Sequence, residues 1–416
     1  MILPRLTDFN FQGKTVLVRI DSDAPLVDGK VEDDTRIKAC LPTIEYLLNN
    51  EAKVILMGHL DRPEGKVVEE LKMAPVAEKL KELLNYELPA SRQGGQITNS
   101  KVGLRIQNFP VYILSENLWL LENLRFYPGE EKDNSDFAKN LSLLGDFYVN
   151  EAFAASHREH ASIVGVPKLL PHCAGFNFVK EVENLSKVLE NPKRPVVFIV
   201  GGAKTESKLP VIENLFNKVD IFLLGGVVAN TFMVANPEYP KIIGRSVFDK
   251  QLLDEAKRIL AKGKGEKIEF PSIGKIWKIK IPKNLVVAKK ESGNFSEVET
   301  VDVGEKSGEV FDQEKMIVDI GPEMEELYGK VIEQAGTIVF AGPMGLIEEE
   351  RFSRGTKAIL EAMANSKAFK VVGGGDTIAA LNKFGLLSKM DFVSLGGGAM
   401  LEFLAKGSLL GIDALV

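Results

Sequence analysis

The chain has 416 residues, 45% of them hydrophobic and 26% charged, with a formal net charge of −6. That length exceeds what one hydrophobic core usually serves, so two domains are expected, and the composition is that of an ordinary globular protein. The mild acid excess gives no general attraction to nucleic acid or to a membrane surface, so an anionic ligand needs a local basic cluster.

Two cysteines, Cys40 and Cys173, have neither metal-site spacing nor a disulfide framework and fit a reducing compartment. Met1–Asn10 lacks the apolar stretch of a secretory signal. No apolar run approaches the roughly 20 residues that cross a bilayer, and the expected address is the cytoplasm.

Short β-branched runs alternate with helical stretches. Thr15–Ile20 and Lys53–Met57 read as buried strands and Ala74–Leu84 as a helix. Pro167–Phe178, with Pro167, Pro171 and Gly175, is the expected domain boundary, followed by a connecting helix over Val179–Glu190. Val196–Val200, Ile221–Leu224, Thr337–Phe340 and Lys370–Val372 read as further strands, and Lys262–Val310 as irregular strands. Apolar runs that end in glycine-rich loops and lead into helices predict parallel α/β sheets, whose function gathers beyond the carboxyl ends of the strands.

Basic residues follow the first-half strands. "VRIDSDAPL" contributes Arg19, Asp21 and Asp23, "GHLDRP" His59 and Arg62, and "LENLRFYPGE" Arg125. Arg36 in "DDTRI" and Arg158 in "HREHAS" add to them. Taken singly, most surface arginines have no ligand. Several on separate strand-end loops point to a pocket for a small polyanion, because the guanidinium fork matches phosphate and carboxylate oxygens. His157 and His160 read as structural histidines.

Glycine loops follow the second-half strands. "VGGAKTESK" supplies Gly201, Gly202, Lys204 and Lys208, without the spacing of a Walker A loop. "LLGGVVANTF" supplies Gly225 and Gly226, and "FAGPMGLIEEE" Gly342, Gly345 and Glu348. "VVGGGDTIAAL" supplies Gly373, Gly374, Gly375, Asp376 and Thr377, and "SLGGGAMLEFLA" Gly396, Gly397 and Gly398. One such turn is usually only a tight connection. Several together, with free amides at helix starts and nearby lysines, suggest a site for nucleotide phosphates, with Asp376 placed for Mg²⁺.

The order of these motifs, from "VLVRIDSDAPL" and "DDTRI" through "NEAFAASHREHAS", "GGAKTESKL" and "GPMGLIEEERFSRGTKAI" to "GGGDT" and "VSLGGGAMLEFLAKG", resembles the phosphoglycerate kinase family over essentially the whole chain. The resemblance implies two Rossmann-like three-layer αβα domains with mainly parallel sheets, joined by a helix and hinge. Their expected limits are 1–170 for the phosphoglycerate domain, 171–190 for hinge and helix, 191–395 for the nucleotide domain and 396–416 for a segment returning to the first domain.

It further implies reversible phosphoryl transfer from 1,3-bisphosphoglycerate to ADP, giving 3-phosphoglycerate and ATP with Mg²⁺, by a monomer without nucleic-acid or membrane partners. Asp21, Asp23, Arg36, His59, Arg62, Arg125 and Arg158 fall on the glycerate side. Arg36, Lys204, Gly374 and Gly397 fall at the transferred phosphoryl group. Gly202, Lys208, Gly225, Gly226, Glu348, Gly373, Gly374, Gly375, Asp376 and Thr377 fall on the nucleotide, with Asp376 also the metal ligand.

The chain departs from the family pattern in places. Asp23 replaces Asn, Asp61 replaces Gly, Phe340 and Ala341 replace Trp and Asn, and Leu395 replaces Thr. An alternative is therefore a diverged, non-catalytic relative that binds nucleotide or phosphoglycerate. Asp23 is expected to pair with a neighbouring arginine, since a bare carboxylate would repel an anionic ligand. A dinucleotide-dependent enzyme is disfavoured, because "RIDSDAPLVDGK" lacks the G-x-G-x-x-G turn.

Overall fold

The computed structural model describes residues 2–87, 105–106, 108–239, 243–303 and 312–416. It divides into two units, Met1–Glu183 with Ser408–Val416, and Asn184–Gly407. In the first unit the strands are β1 (Thr15–Arg19), the ribbon β2 (Leu26–Val27) and β3 (Lys30–Val31), β4 (Lys53–Met57), β5 (Arg105–Ile106), β6 (Phe109–Ser115), β7 (Leu118–Leu121), β8 (Phe147–Asn150) and β9 (His172–Ala174). Seven of them form one sheet in the order β5-β6-β7-β4-β1-β8-β9. From β7 to β9 every pairing is parallel, and antiparallel β6 and β5 finish one edge.

Parallel neighbours need crossovers. α1 (Thr35–Asn49) joins β1 to β4, α2 (Ala74–Glu87) follows β4, and α3 (Ser135–Ser142) lies between β7 and β8. Val16 and Val18 alternate along β1 and share a core with Ile37, Ile44 and Leu47 of α1 and Val76 and Leu80 of α2. Leu17, facing the other way, is equally buried, which is why β1 reads as a continuous apolar run.

The second unit has a six-stranded, wholly parallel sheet. Its members are β10 (Val196–Val200), β11 (Ile221–Leu224), β14 (Ile279–Lys280), β18 (Thr337–Ala341), β19 (Phe369–Gly373) and β20 (Phe392–Ser394), in the order β14-β11-β10-β18-β19-β20. The hairpin of β12 (Lys267–Phe270) and β13 (Gly274–Trp277) stands outside it, as does the antiparallel sheet of β15 (Asn284–Glu291), β16 (Asn294–Asp302) and β17 (Lys315–Ile320). Antiparallel hairpins thus occupy the stretch expected to hold irregular strands, and β15 is irregular, with register shifts near Val287 against both of its partners; the last residues of the stretch, from 304 on, lie outside the described residues.

The helices of the second half are α4 (Phe176–Leu189), α5 (Leu209–Leu215), α6 (Gly226–Ala235), α7 (Leu253–Lys262), α8 (Pro322–Glu333), α9 (Arg354–Asn365), α10 (Gly375–Lys383) and α11 (Gly398–Lys406), with α12 (Leu410–Asp413) near the end of the chain. Two limits differ from expectation. Residues 172–174 form β9, paired with Tyr148–Asn150, so the stretch begins as sheet rather than hinge. α11 buries Met400, Phe403 and Leu404 and packs on α5 in the second unit, so the C-terminal piece of the first unit starts at Ser408 rather than at 396.

Glu151, directly after β8, ties three elements together. Its carboxylate accepts from Thr43 Oγ1 (2.8 Å) on α1, and from Asn177 N (3.0 Å) and Phe178 N (3.1 Å) at the start of α4. The two amides are free N–H groups of a helix start; burial raises the Glu151 carboxyl to about 8, and these amides with Thr43 pull against that rise. A Cβ at Gly175 would collide with the same carboxylate, 2.6 Å from its Cδ. Glu151→Gln keeps the shape but turns an amide NH₂ towards a donor. It is expected to lower stability by about 1–3 kcal/mol, measured by urea unfolding.

Candidate functional site

In the first unit the loops that leave β7, β4, β1 and β8 emerge side by side, because those four strands are parallel neighbours. Asn123 ties two of these loops: Nδ2 donates to Leu60 O and to Leu71 O, both at 2.9 Å, and Oδ1 accepts from Arg125 N at 3.1 Å. Gly58 lets the β4 and β1 loops meet. A Cβ there would lie 3.1 Å from Ser22 Cβ and closer still to Ser22 Oγ, which bonds both the N–H (3.0 Å) and the carbonyl (2.9 Å) of His59.

The predicted glycerate residues converge on this edge. Arg36, on the first turn of α1, donates from Nη1 to Asp23 O at 2.9 Å. Asp23 Oδ2 lies 4.0 Å from Arg36 Nη1 and 3.8 Å from His59 Nε2, so the carboxylate faces a guanidinium on one side and an imidazole on the other. Asp23 Oδ1 accepts from Asp61 N at 3.0 Å. Asp61 has φ +46°, the left-handed region that glycine adopts freely and that Asp tolerates better than most residues. The two departures from the family pattern in these loops are therefore in contact.

Asp21 is buried and accepts from Ala154 N (2.9 Å). Burial raises its carboxyl above the ordinary range, while Arg36 and Arg19 pull it down. Arg62 is exposed, with no hydrogen bond or ion pair of its side chain among the described residues. Arg158 is half-buried; burial and then the charge of Arg62 lower its guanidinium from its ordinary value, which marks the two cations as neighbours. Arg125 lies deeper than its motif suggests. Nη1 donates to Asp61 O (2.6 Å), Nε faces Glu131 Oε1 at 3.3 Å, and buried Nη2 has no hydrogen-bond partner among the described residues.

Beneath these groups lies a network that the motifs do not reveal. Arg19 is wholly buried and donates to Ser162 Oγ (2.8 Å) and Ile20 O (2.6 Å). Ser162 is fixed in turn by Glu130, through Oγ at 2.6 Å and N at 3.0 Å. Glu130 closes "LENLRFYPGE" and Ser162 closes "HREHAS", but both are far from Arg19 in sequence, so no local signal marks them as its partners.

In the second unit the loops after β11, β10, β18, β19 and β20 share one edge in the same way. The glycines there divide into two classes. Gly201, Gly225, Gly226 and Gly373 are packing positions. A Cβ at Gly201 would meet Gly342 O at 2.6 Å, one at Gly225 Met344 Sδ at 2.6 Å, one at Gly226 Gly202 N at 2.6 Å, and one at Gly373 the Met400 side chain. Backbone bonds seal these contacts: Gly202 N to Pro343 O (2.7 Å), Gly226 N to Met344 O (3.0 Å) and Val227 N to Gly202 O (3.1 Å). Thr377 is likewise buried, its hydroxyl accepting from Gly342 N at 2.8 Å.

The other class is open. A Cβ at Gly375, Gly397 or Gly398 would meet nothing within 4 Å, and one at Gly374 only Thr377 Oγ1 at 3.8 Å. Gly374 (φ +97°) starts α10 and Gly397 (φ +52°) starts α11, so free helix amides stand there without side chains over them. Asp376 on the first turn of α10, Lys204 and Glu348 are all exposed. Lys208 is buried and donates to Gly201 O. Burial lowers its amine to about 8, against the charge of Asp376, which raises it.

Among the described residues no three His, Cys, Asp or Glu side chains converge as a metal cage. A single exposed carboxylate beside open amides suits a hydrated Mg²⁺ that takes its other ligands from phosphates and water.

Three comparisons with known proteins agree. The family model described as phosphoglycerate kinase matches residues 6–407. The chain is similar to phosphoglycerate kinases of Moorella thermoacetica (42% identical over 412 residues) and Herpetosiphon aurantiacus (42% over 414), covering 99% of this chain and 98% of each relative. It is similar in structure to the phosphoglycerate kinase of Coxiella burnetii, with a TM-score of 0.80 and 36% identity over 100% of this chain and 99% of that one. The enzyme of Pyrococcus horikoshii gives 0.78 and 33% over 99% and 98%. With one family found by model, by sequence and by structure along nearly the full length, the chain belongs to the phosphoglycerate kinase family.

Proposed function

We propose that the chain transfers a phosphoryl group reversibly from 1,3-bisphosphoglycerate to ADP, a carboxyl group being the acceptor in the reverse direction. The observation that carries this reading is the presence of two chemically different strand-end clusters. Arginines and a histidine crowd one sheet edge, and open helix amides with lysines crowd the other.

On the glycerate side Arg62, the terminal amino groups of Arg158 and Nη2 of Arg125 are the donors available to an anion, Nε of Arg158 donating to His157 Nε2 at 3.4 Å; His59 and Arg36 lie beside them, and Asp21 and Asp23 hold the loops in place. The carboxylate of 3-phosphoglycerate is already ionised, so no general base is needed. Catalysis of such a transfer rests on positioning and on charge stabilisation. Arg36 and Lys204 are the cations that meet the phosphoryl group in flight.

On the nucleotide side Gly374, Gly375 and Gly397 offer backbone to the phosphates, Lys208 adds charge and Glu348 accepts from ribose. Gly202, whose N–H and carbonyl are both bonded to neighbouring loops, acts with Gly225, Gly226, Gly373 and Thr377 by shaping these loops. Asp376 would hold Mg²⁺, which when bound neutralises charge on the nucleotide phosphates. The ligands are small molecules, the working form a monomer and the compartment the cytoplasm. A coupled assay with 3-phosphoglycerate and Mg-ATP tests the reading. Ligand binding without turnover would instead establish a non-catalytic relative.

Lys204 has no hydrogen bond or ion pair of its side chain among the described residues. Its charge is therefore available to a group that develops only during reaction. Lys204→Ala is expected to lower kcat by about 100-fold or more with little change in the affinity for 3-phosphoglycerate, read from steady-state kinetics and calorimetry. A kcat within a few-fold of the parent would remove the role.

Asp376→Ala is expected to weaken Mg-nucleotide binding while leaving 3-phosphoglycerate binding intact; titration calorimetry with each ligand makes the comparison. An equal loss for both would indicate damage to the fold.

Arg62→Ala removes a charge-assisted donor, so the KM for 3-phosphoglycerate should rise by about tenfold or more at unchanged nucleotide KM.

A further inference from the structure

His59 stands between a cation and a carboxylate, and the cation decides what the ring can do. Arg19 Nη2 lies 2.8 Å from His59 Nδ1. A guanidinium has donors only and keeps its charge at every ordinary pH. Nδ1 must then accept, and the ring proton must sit on Nε2, the nitrogen that faces Asp23 Oδ2 at 3.8 Å.

Arg19 has no freedom to leave. It is wholly buried, with Nε on Ser162 Oγ and Nη1 on Ile20 O, and Glu130 and Tyr148 OH (2.7 Å to Ser162 O) hold the far side of the network. The main chain of His59 is clamped by Ser22 on both its N–H and its carbonyl. A doubly protonated ring is also opposed by its surroundings. Burial and the charges of Arg19, Arg158 and Arg36, together with His160, hold His59 well below the ordinary histidine value, and among the described residues Asp23 is the one carboxylate in ion-pair range.

We propose that Arg19 is a positioning residue that locks His59 as the neutral Nε2–H tautomer, so that His59 gives the pocket a directed, uncharged donor to a glycerate oxygen. The inference rests on the reading that these loops bind phosphoglycerate. It separates two jobs that the motifs run together: the arginines supply charge, and His59 supplies direction without adding to their mutual repulsion. Arg19, although it belongs to a ligand-loop motif, acts through His59 rather than on the ligand.

The test begins with the full-length wild-type protein, ¹⁵N-labelled, by long-range proton–nitrogen spectroscopy of the histidine rings, with His59 assigned by the loss of its signals in His59→Gln. The expected pattern is an unprotonated Nδ1 and a protonated Nε2, unchanged between about pH 5.5 and 8, where a free histidine titrates. A proton on Nδ1, or a shift to imidazolium within that range, overturns the lock. This measurement needs no Arg19 variant, and Arg19→Met, if it folds, should make His59 titrate.

Kinetics then test the donor. His59→Ala should raise the KM for 3-phosphoglycerate by about tenfold, the loss of one bond to a charged acceptor. His59→Gln, whose amide reaches close to the Nε2 position as a neutral donor, should limit the rise to about threefold. Equal loss in both variants overturns the donor role. An unchanged KM in both, with the ring pattern intact, overturns the placement of glycerate at His59 and leaves the tautomer lock standing.

Discussion

Parallel pairing delivers every strand of a sheet to the same edge, and both candidate sites depend on that constraint. In the first unit β7, β4, β1 and β8 end side by side, so residues near positions 20, 60, 125 and 155 become neighbours. In the second, β11, β10, β18, β19 and β20 do the same for five glycine-bearing loops. An antiparallel arrangement of the same strands would send alternate loops to opposite edges and scatter both clusters. The burial of both strand faces, visible in Val16, Leu17 and Val18, keeps those edges rigid enough to hold charged groups at defined separations.

Converging loops of this kind concentrate like charge. Arg19, Arg36, Arg62, Arg125 and Arg158 share one edge, and the chain offsets their repulsion with carboxylates set among them. Asp21 and Asp23 take backbone amides of the neighbouring loops while facing arginines, so each carboxylate both joins loops and balances charge. Glu130 does this at one remove, through Ser162 to Arg19. The exchange of Asn for Asp at position 23 and of Gly for Asp at 61 fits this arrangement, because the side chain of one accepts the amide of the other.

Much of this was legible beforehand. Short apolar runs gave β4, β10 and β11 to the residue, and β1, β18 and β19 to within one residue at either end, because a strand buried on both faces is a continuous apolar stretch with a sharp polar end. The basic and glycine-rich motifs lie at neighbouring strand ends. What could not be read was the division of labour among similar residues. Gly225 and Gly375 look alike in a motif, yet one is closed by Met344 and the other open. Arg62 and Arg125 look alike as well, yet one is exposed and the other buried against Asp61 and Glu131.

The amino-acid sequence alone therefore determined the family, the α/β architecture with mainly parallel sheets and the basic and glycine-rich residues that gather at the strand ends. Those follow from local periodicity and from motifs whose order is specific. Only the tertiary structure decided that α11 packs in the second unit, which glycines are open to a ligand, and that Arg19 is a buried anchor held by Ser162 and Glu130. The physical reason is that exposure and hydrogen-bond partnership are properties of groups brought together from distant positions. A chain written in one dimension records which groups are present, whereas their neighbours are set only when the sheets close and each buried donor has to find an acceptor.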